Sequence, residues 1–129
     1  MVLRCLIVDD NDHFLRAARW LLEREGITVV GIPSTCSEAL ARFEECRPDV
    51  TLVDVQLGEE NGLDLARRLA GGGNGDGGGG ARVILISTYP ERDLTDVLAQ
   101  CPSVGFLSKS DLSAAAIHEI LGRAAHDHC

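Results

Sequence analysis

Five polar side chains follow or end short apolar runs of the sequence, and together they could support phosphoryl transfer. Asp9 and Asp10 follow the first run, Asp54 and Ser87 end two later runs, and Lys109 follows the last. Three carboxylates held close together repel one another, and a divalent cation relieves that repulsion. Because oxygen ligands suit Mg²⁺, these residues predict a magnesium site where a carboxylate accepts a phosphoryl group.

Apolar runs typical of strands alternate with helical patterns along the chain. The strands are predicted at 3–8, 27–32, 49–55, 82–87 and 104–107. Continuously apolar strands in this alternation favour a parallel α/β sheet that helices cover on both faces. Ligands of such sheets bind beyond the carboxyl ends of the strands, where all five polar side chains fall.

Helix signals stand between these strands. Capping residues predict helices that begin near Asn11 or Asp12, at Thr35 and at Asn61, and periodicity predicts two more at 91–100 and 111–125. Phe14 falls on the apolar stripe of the first helix, which Gly26 ends.

Each polar residue also has an ordinary structural interpretation. Aspartates after a strand are often turn or capping residues, serine often caps the next helix, and a loop lysine is often only solvated. The functional interpretation is favoured because all of these side chains fall at the same end of successive strands.

Residues 71–80 contain eight glycines in ten positions, which is typical of a flexible coil. No strand leads into this segment and no Lys-Ser or Lys-Thr pair follows it, so it does not fit a phosphate-binding loop. We expect a single domain over residues 1–129 with a flexible surface insertion at 71–80.

Charge and hydropathy limit the partners that the chain can have. The net charge is −8 and no basic run is present, so we expect no direct binding of nucleic acid. No stretch approaches eighteen consecutive apolar residues and the first residues do not resemble a signal peptide, so we expect no membrane contact and a cytoplasmic protein.

The five cysteines predict neither a disulfide framework nor a zinc ribbon, because their number is odd and no C-x-x-C pair occurs. The last four residues, HDHC, could be imagined as a metal site. A frayed end is the favoured interpretation of such a terminal cluster.

Four blocks of the sequence resemble the signature blocks of response regulator receiver domains of bacterial two-component systems. They are LIVDDND (6–12), DVTLVDVQLGEENG (49–62), VILIST (83–88) and GFLSKS (105–110). The resemblance covers about residues 3–125. It implies a flavodoxin-like, doubly wound (βα)5 three-layer sandwich with a parallel five-stranded sheet of order 2-1-3-4-5.

The resemblance also implies a metal-dependent phosphorylation site. Asp54 matches the phosphoacceptor, and Asp9 and Asp10 match the acidic pair that binds Mg²⁺. Asp54 itself and the backbone carbonyl of Gln56 would complete the protein ligands of the ion.

Further positions match residues that respond to the phosphoryl group or tune its loss. Ser87 matches the hydroxyl that contacts the phosphoryl group, and Phe106 matches the switch aromatic. Lys109 matches the lysine that pairs with the phosphoacceptor aspartate and then with the phosphoryl oxygens. Gln56 and Tyr89 occupy positions that tune dephosphorylation in the family.

In the function that this resemblance implies, a sensor histidine kinase phosphorylates the chain and so controls an output, which we expect to be transcription. The face formed by the predicted helix 91–100, the fifth strand and the last helix would bind partners or a second copy. Such a protein is a signalling switch and catalyses only its own phosphoryl transfer and dephosphorylation.

Two other functions stay open at this point. A pseudo-receiver would bind partners without phosphorylation, although the complete set of site residues speaks against it. A flavin-binding electron carrier could share the fold, but the acidic loop after the first strand would repel a phosphate.

The chain departs from the family pattern at Ser110, where receivers usually have proline after a cis peptide bond. A non-proline cis bond costs about 3 kcal/mol. We therefore expect either a retained cis bond between Lys109 and Ser110 or a rearranged loop. Gly58 replaces another common proline, and the bulky Tyr89 could shield the phosphoryl group from water.

Overall fold

A five-stranded parallel sheet organises the computed structural model of the protein. Its strands are β1 (Arg4–Val8), β2 (Thr28–Gly31), β3 (Val50–Asp54), β4 (Val83–Ser87) and β5 (Gly105–Ser108). The order across the sheet is β2-β1-β3-β4-β5, which confirms the predicted order 2-1-3-4-5. All residues of β3 and β4 are buried, as expected for continuously apolar central strands.

The structure describes residues 3–57, 60–70, 82–88 and 105–127. The glycine-rich segment 71–80, the predicted helix at 91–100, Gly58 and Tyr89 lie outside these residues, as do Cys101 and Cys129.

Four α-helices flank the sheet within the described part of the chain. They are α1 (Asp12–Arg24), α2 (Cys36–Cys46), α3 (Gly62–Ala70) and the final helix (Ala114–Asp127). The first two begin as predicted. The side chain of Asn11 accepts a hydrogen bond from the Phe14 amide at 3.2 Å, and that of Thr35 accepts one from the Glu38 amide, also at 3.2 Å.

Two helix starts differ in detail from the sequence prediction. Residue Asn61 belongs to a short antiparallel pair, Gln56–Leu57 with Glu60–Asn61, and α3 begins at the following glycine. The final helix begins at Ala114 and not at 111, because residues Lys109–Asp111 form a separate turn of 3₁₀ helix.

The alternation of strand side chains divides the core into two clusters, one on each face of the sheet. Cys5 and Ile7 pack with α1 and the final helix, while Leu6 and Val8 pack with α2 and α3. This arrangement confirms the three-layer sandwich. Cys5 lies fully inside its cluster, and burial raises the pKa of its thiol to about 12, so it packs as a small hydrophobic side chain.

No helix in the described ranges is both long and apolar enough to cross a membrane.

Glu25 connects the end of α1 to the start of the final helix. Its carboxylate accepts a hydrogen bond from the Ala114 amide at 2.7 Å. The first amides of a helix lack partners within the helix, and a carboxylate there also interacts favourably with the helix dipole. This contact stabilises the packing of two elements that are distant in sequence.

We expect Glu25→Ala to lower the free energy of unfolding by about 1 kcal/mol, because the Ala114 amide loses its acceptor. Urea denaturation followed by circular dichroism measures the change. Glu23→Ala is the matched control, since the Glu23 side chain lies at the surface in an exposed ion pair with Arg19. Equal stability changes in the two variants would contradict the capping role.

Candidate functional site

Three carboxylates meet at the carboxyl end of the sheet. One oxygen from each of Asp9, Asp10 and Asp54 lies within 4.8 Å of the others. Asp9 and Asp54 are buried, whereas Asp10 is exposed. The predicted acidic cluster is therefore present, with two members inside the protein and one at its surface.

Strand register brings the two buried carboxylates together. Val8 at the end of β1 pairs with Val53 of β3, so Asp9 and Asp54 occupy neighbouring positions at the same edge. One oxygen of Asp9, Oδ1, accepts a hydrogen bond from the Asn11 amide at 2.9 Å. The Asp54 Oδ1 accepts one from the Gln56 amide at 3.0 Å. Each carboxylate thus has one oxygen fixed by the loop that follows it.

Gly62 packs against the backbone of Asp54 so closely that no other residue fits. A Cβ atom at position 62 would overlap the Asp54 carbonyl oxygen. Any side chain there would push α3 away from β3 or displace Asp54. The sequence pattern around Gly62 predicts no function for it, although a glycine at a helix start can indicate close backbone approach.

Lys109 bridges the two buried carboxylates. Its Nζ lies 2.6 Å from Asp9 Oδ2 and 3.0 Å from Asp54 Oδ2. The lysine side chain is only 13% exposed. Both carboxylates are therefore held by a main-chain amide on one oxygen and by the same ammonium on the other.

The peptide bond after Lys109 is trans, since the described residues contain no cis peptide bond. Of the two expected outcomes, the structure shows the rearranged loop, in which Lys109–Asp111 form the 3₁₀ turn. The hydroxyls of Ser108 and Ser110 lie 3.1 Å apart across this turn. Lys109 reaches Asp54 without a proline after it.

The ionisation of the pocket reflects its burial and its excess of acids. Burial raises the pKa of Asp9, with a further contribution from the nearby Asp54 charge, and together they outweigh the opposing effects of the Lys109 ammonium and the Asn11 amide hydrogen bond. Burial alone would lower the pKa of Lys109, but the contacts with Asp9 and Asp54 outweigh it and raise the pKa. The lysine therefore stays charged at neutral pH.

The other predicted site residues lie around this cluster at different depths. Ser87 is buried at the end of β4, one residue beyond Ile86, which pairs with Asp54. Phe106 is half-buried on β5 and packs against the core cluster beneath α2 and α3. Gln56 is exposed just after Asp54. Tyr89, which was predicted to affect dephosphorylation, lies outside the described residues.

Phe14 also contacts the site, which sequence analysis did not predict. Its ring centroid lies 4.6 Å from Lys109 Nζ. Periodicity places Phe14 only on the apolar face of α1. The sequence offers one further indication that Phe14 lies near the site. It is four residues from Asp10, in the first turn of the helix that follows the acidic loop.

The donor atoms of the cluster suit a hard divalent cation. Three carboxylates and one ammonium have a summed charge of −3 + 1 = −2 when all are ionised. A dication balances that charge, and Mg²⁺ prefers oxygen ligands while keeping several waters. The exposed position of Asp10 leaves room for such waters on the solvent side.

Comparison with known proteins gives a consistent result. The family model described as response regulator receiver domain matches residues 5–121. The response regulator GacA of Pseudomonas viridiflava is 29% identical over 109 residues, which are 84% of this chain and 49% of that protein. The alginate biosynthesis transcriptional regulatory protein AlgB of Pseudomonas aeruginosa is 30% identical over 106 residues, which are 82% of this chain and 22% of AlgB.

A solved structure gives the same match over nearly the whole chain. The signal receiver domain of a modulated diguanylate cyclase from Desulfovibrio desulfuricans G20 has a TM-score of 0.77 and 28% identity, and the match covers 98% of this chain and 96% of that one. The chain spans about half of GacA and less than a quarter of AlgB.

We expect Asp9→Asn to stabilise the protein at neutral pH by on the order of 1 kcal/mol in the absence of divalent cations. A carboxyl whose pKa is raised by folding favours the native state only while it is protonated. The contribution of Asp9 to the stability of the unsubstituted protein should therefore fall as the pH rises from about 4 through its folded-state pKa. Thermal unfolding at a series of pH values measures this.

The gain from Asp9→Asn should shrink at acidic pH, where Asp9 is already neutral. Asp10→Asn is the matched control, and its effect should be smaller because Asp10 is exposed. A destabilised Asp9→Asn variant, or a gain independent of pH, would contradict this account of the pocket.

Proposed function

The chain belongs to the response regulator receiver domain family, and on that basis we propose that it is a phosphorylation switch whose phosphoacceptor is Asp54. The observation that carries the proposal is the Lys109 ammonium, which bridges Asp54 and Asp9 at 3.0 and 2.6 Å beside a third carboxylate. A structural ion pair would need one carboxylate, whereas this pocket holds an excess of negative charge around a single lysine.

In the proposed reaction, a carboxylate oxygen of Asp54 attacks the phosphorus of a phosphohistidine on a sensor histidine kinase. The new bond joins oxygen to phosphorus, the phosphorus–nitrogen bond breaks, and the imidazole leaves. Because such transfers depend mainly on positioning and electrostatics, the protein contributes a fixed nucleophile and a nearby positive charge. The Gln56 amide orients Asp54, and Lys109 lies close enough to reach the incoming phosphoryl oxygens.

A bound Mg²⁺ would offset negative charge on the transferring oxygens. Asp9, Asp10 and Asp54 would hold it, together with the backbone carbonyl of Gln56. Burial of Asp9 and Asp54 limits their freedom to turn away from one another, so the carboxylates are arranged before the ion arrives.

Ser87 and Phe106 are the proposed switch residues. Ser87 lies one residue beyond Ile86, the strand partner of Asp54, and it pairs with Ser108 on β5. Movement of Ser87 toward a phosphoryl group would allow the half-buried Phe106 to repack, which shifts the populations of two conformations. The segment 91–100, β5 and the final helix would form the responding face, for partner binding or homodimerisation.

The proposed output is control of transcription. AlgB is named as a transcriptional regulatory protein and GacA as a response regulator. This chain has a net charge of −8, so we propose that a further domain or partner contacts DNA. We propose no chemistry beyond the phosphorylation cycle of Asp54 itself.

Incubation with Mg²⁺ and radiolabelled acetyl phosphate should label the protein, and Asp54→Asn should abolish the label because the nucleophile is lost. Asp64→Asn is the matched control, since Asp64 is an exposed aspartate on α3 that forms a surface ion pair with Arg67. Full labelling of Asp54→Asn would refute the assignment. Absence of label in the unsubstituted protein would favour a phosphorylation-independent interaction module.

Lys109→Arg should slow labelling about tenfold or more, although the charge is kept. The compact ammonium contacts two carboxylates at once, and a planar guanidinium is too large to occupy the same point. Initial rates at saturating acetyl phosphate measure the effect. Arg42→Lys, an exchange at an exposed position on α2, should leave the rate unchanged. A fully active Lys109→Arg variant would contradict the proposed role.

A further inference from the structure

The ammonium of Lys109 meets an aromatic face as well as two carboxylates. Its Nζ lies 4.6 Å from the centroid of the Phe14 ring. Phe14 is half-buried and packs against the core cluster beneath α1. A cation within about 6 Å of a ring centroid is attracted to the negative face of the ring, and more strongly when water is excluded.

The contacts of Phe14 form a closed circuit around the site. Asp9 Oδ1 accepts a hydrogen bond from the Asn11 amide at 2.9 Å, and Asn11 Oδ1 accepts one from the Phe14 amide at 3.2 Å. The Phe14 ring meets Lys109, whose Nζ returns to Asp9 Oδ2 at 2.6 Å. The start of α1 and the ammonium are thus fixed relative to the same carboxylate.

We propose that Phe14 is a positioning residue for Lys109, whose ring face holds the ammonium between Asp9 and Asp54. The ring cannot exchange a proton or bind a metal ion, so it restrains the ammonium without competing for the carboxylates. The contact itself stands on geometry alone, whereas its effect on phosphorylation rests on the proposed function of Asp54.

Lys109 lies on a short turn, so contacts of its side chain are needed to hold the ammonium in place. Lys109 begins a short 3₁₀ turn with a trans peptide bond to the exposed Ser110. The lysine stem is long and flexible, and it loses much conformational freedom when it is fixed. A ring on one side and two carboxylates on the other confine Nζ to a small region that faces Asp54.

The contact can be tested without any phosphodonor because Lys109 is the only lysine in the chain. Protein labelled with ¹³C-lysine should show a single set of ε-methylene signals. Ring currents should shift those protons upfield of the usual lysine position, and Phe14→Tyr should preserve the shift while Phe14→Leu removes it. Signals at the usual lysine position in the unsubstituted protein would overturn the proposed contact.

The effect on the reaction is tested by labelling rates with Mg²⁺ and acetyl phosphate. Phe14→Leu keeps an apolar side chain but removes the ring face, so the rate should fall roughly five- to thirtyfold. Phe14→Tyr keeps the ring face, so its labelling rate should match that of the unsubstituted protein. Phe43→Leu is the matched control, because Phe43 is a half-buried aromatic residue that packs on the opposite face of the sheet.

Site-specific incorporation of increasingly fluorinated phenylalanines at position 14 separates electrostatics from shape. Fluorination weakens the negative ring face with little change in size, so the rate should fall stepwise. A rate that stays level through this series, or equal losses in Phe14→Leu and Phe43→Leu, would overturn the positioning role. If the unsubstituted protein takes up no label, the function of Asp54 fails while the upfield lysine signals still establish the contact.

Discussion

The site depends on one ammonium that bridges two buried carboxylates. Asp9 follows β1 and Asp54 ends the neighbouring β3, and burying two carboxylates side by side is unfavourable without a nearby positive charge. Lys109 supplies that charge at 2.6 and 3.0 Å. With Asp10 nearby, one ammonium faces three carboxylates, and this imbalance would favour the binding of a further cation.

The rest of the fold holds these four groups in register. The parallel pairing of β1 with β3 sets the spacing of Asp9 and Asp54, and the close approach of Gly62 fixes the chain behind Asp54. The amide of Asn11 donates a hydrogen bond to Asp9, and the amide of Gln56 donates one to Asp54, so each carboxylate is fixed by the loop that follows it. Two core clusters, one on each face of the sheet, keep the strands aligned.

Much of this arrangement could be predicted because it follows from periodicity and chain direction. Continuous apolar runs predict the strands, and parallel strands bring their carboxyl ends together, so Asp9, Asp54 and Ser87 had to fall at one edge. The pairing of Lys109 with Asp54 was expected from family resemblance. No local pattern reveals that the same ammonium also contacts Asp9, since that depends on the path of the side chain.

Contacts between elements distant in sequence were harder to predict. Phe14 and Lys109 lie on different elements, and apolar periodicity cannot distinguish a ring that fills the core from one that faces a charge. The capping of the final helix by Glu25 crosses from α1 in the same way. At Ser110 the sequence was compatible with a retained cis peptide bond or with a rearranged loop. The three-dimensional structure shows the second, a 3₁₀ turn with a trans bond.

Chemical mapping of the modified residue tests the central claim most directly. After incubation with Mg²⁺ and acetyl phosphate, borohydride reduces an aspartyl phosphate to homoserine, which peptide mass spectrometry locates in the chain. The account predicts homoserine at position 54 and unmodified aspartate at positions 9 and 10. Homoserine at either of those positions, or a phosphoryl group on a different residue while Asp54 stays unmodified, would contradict it.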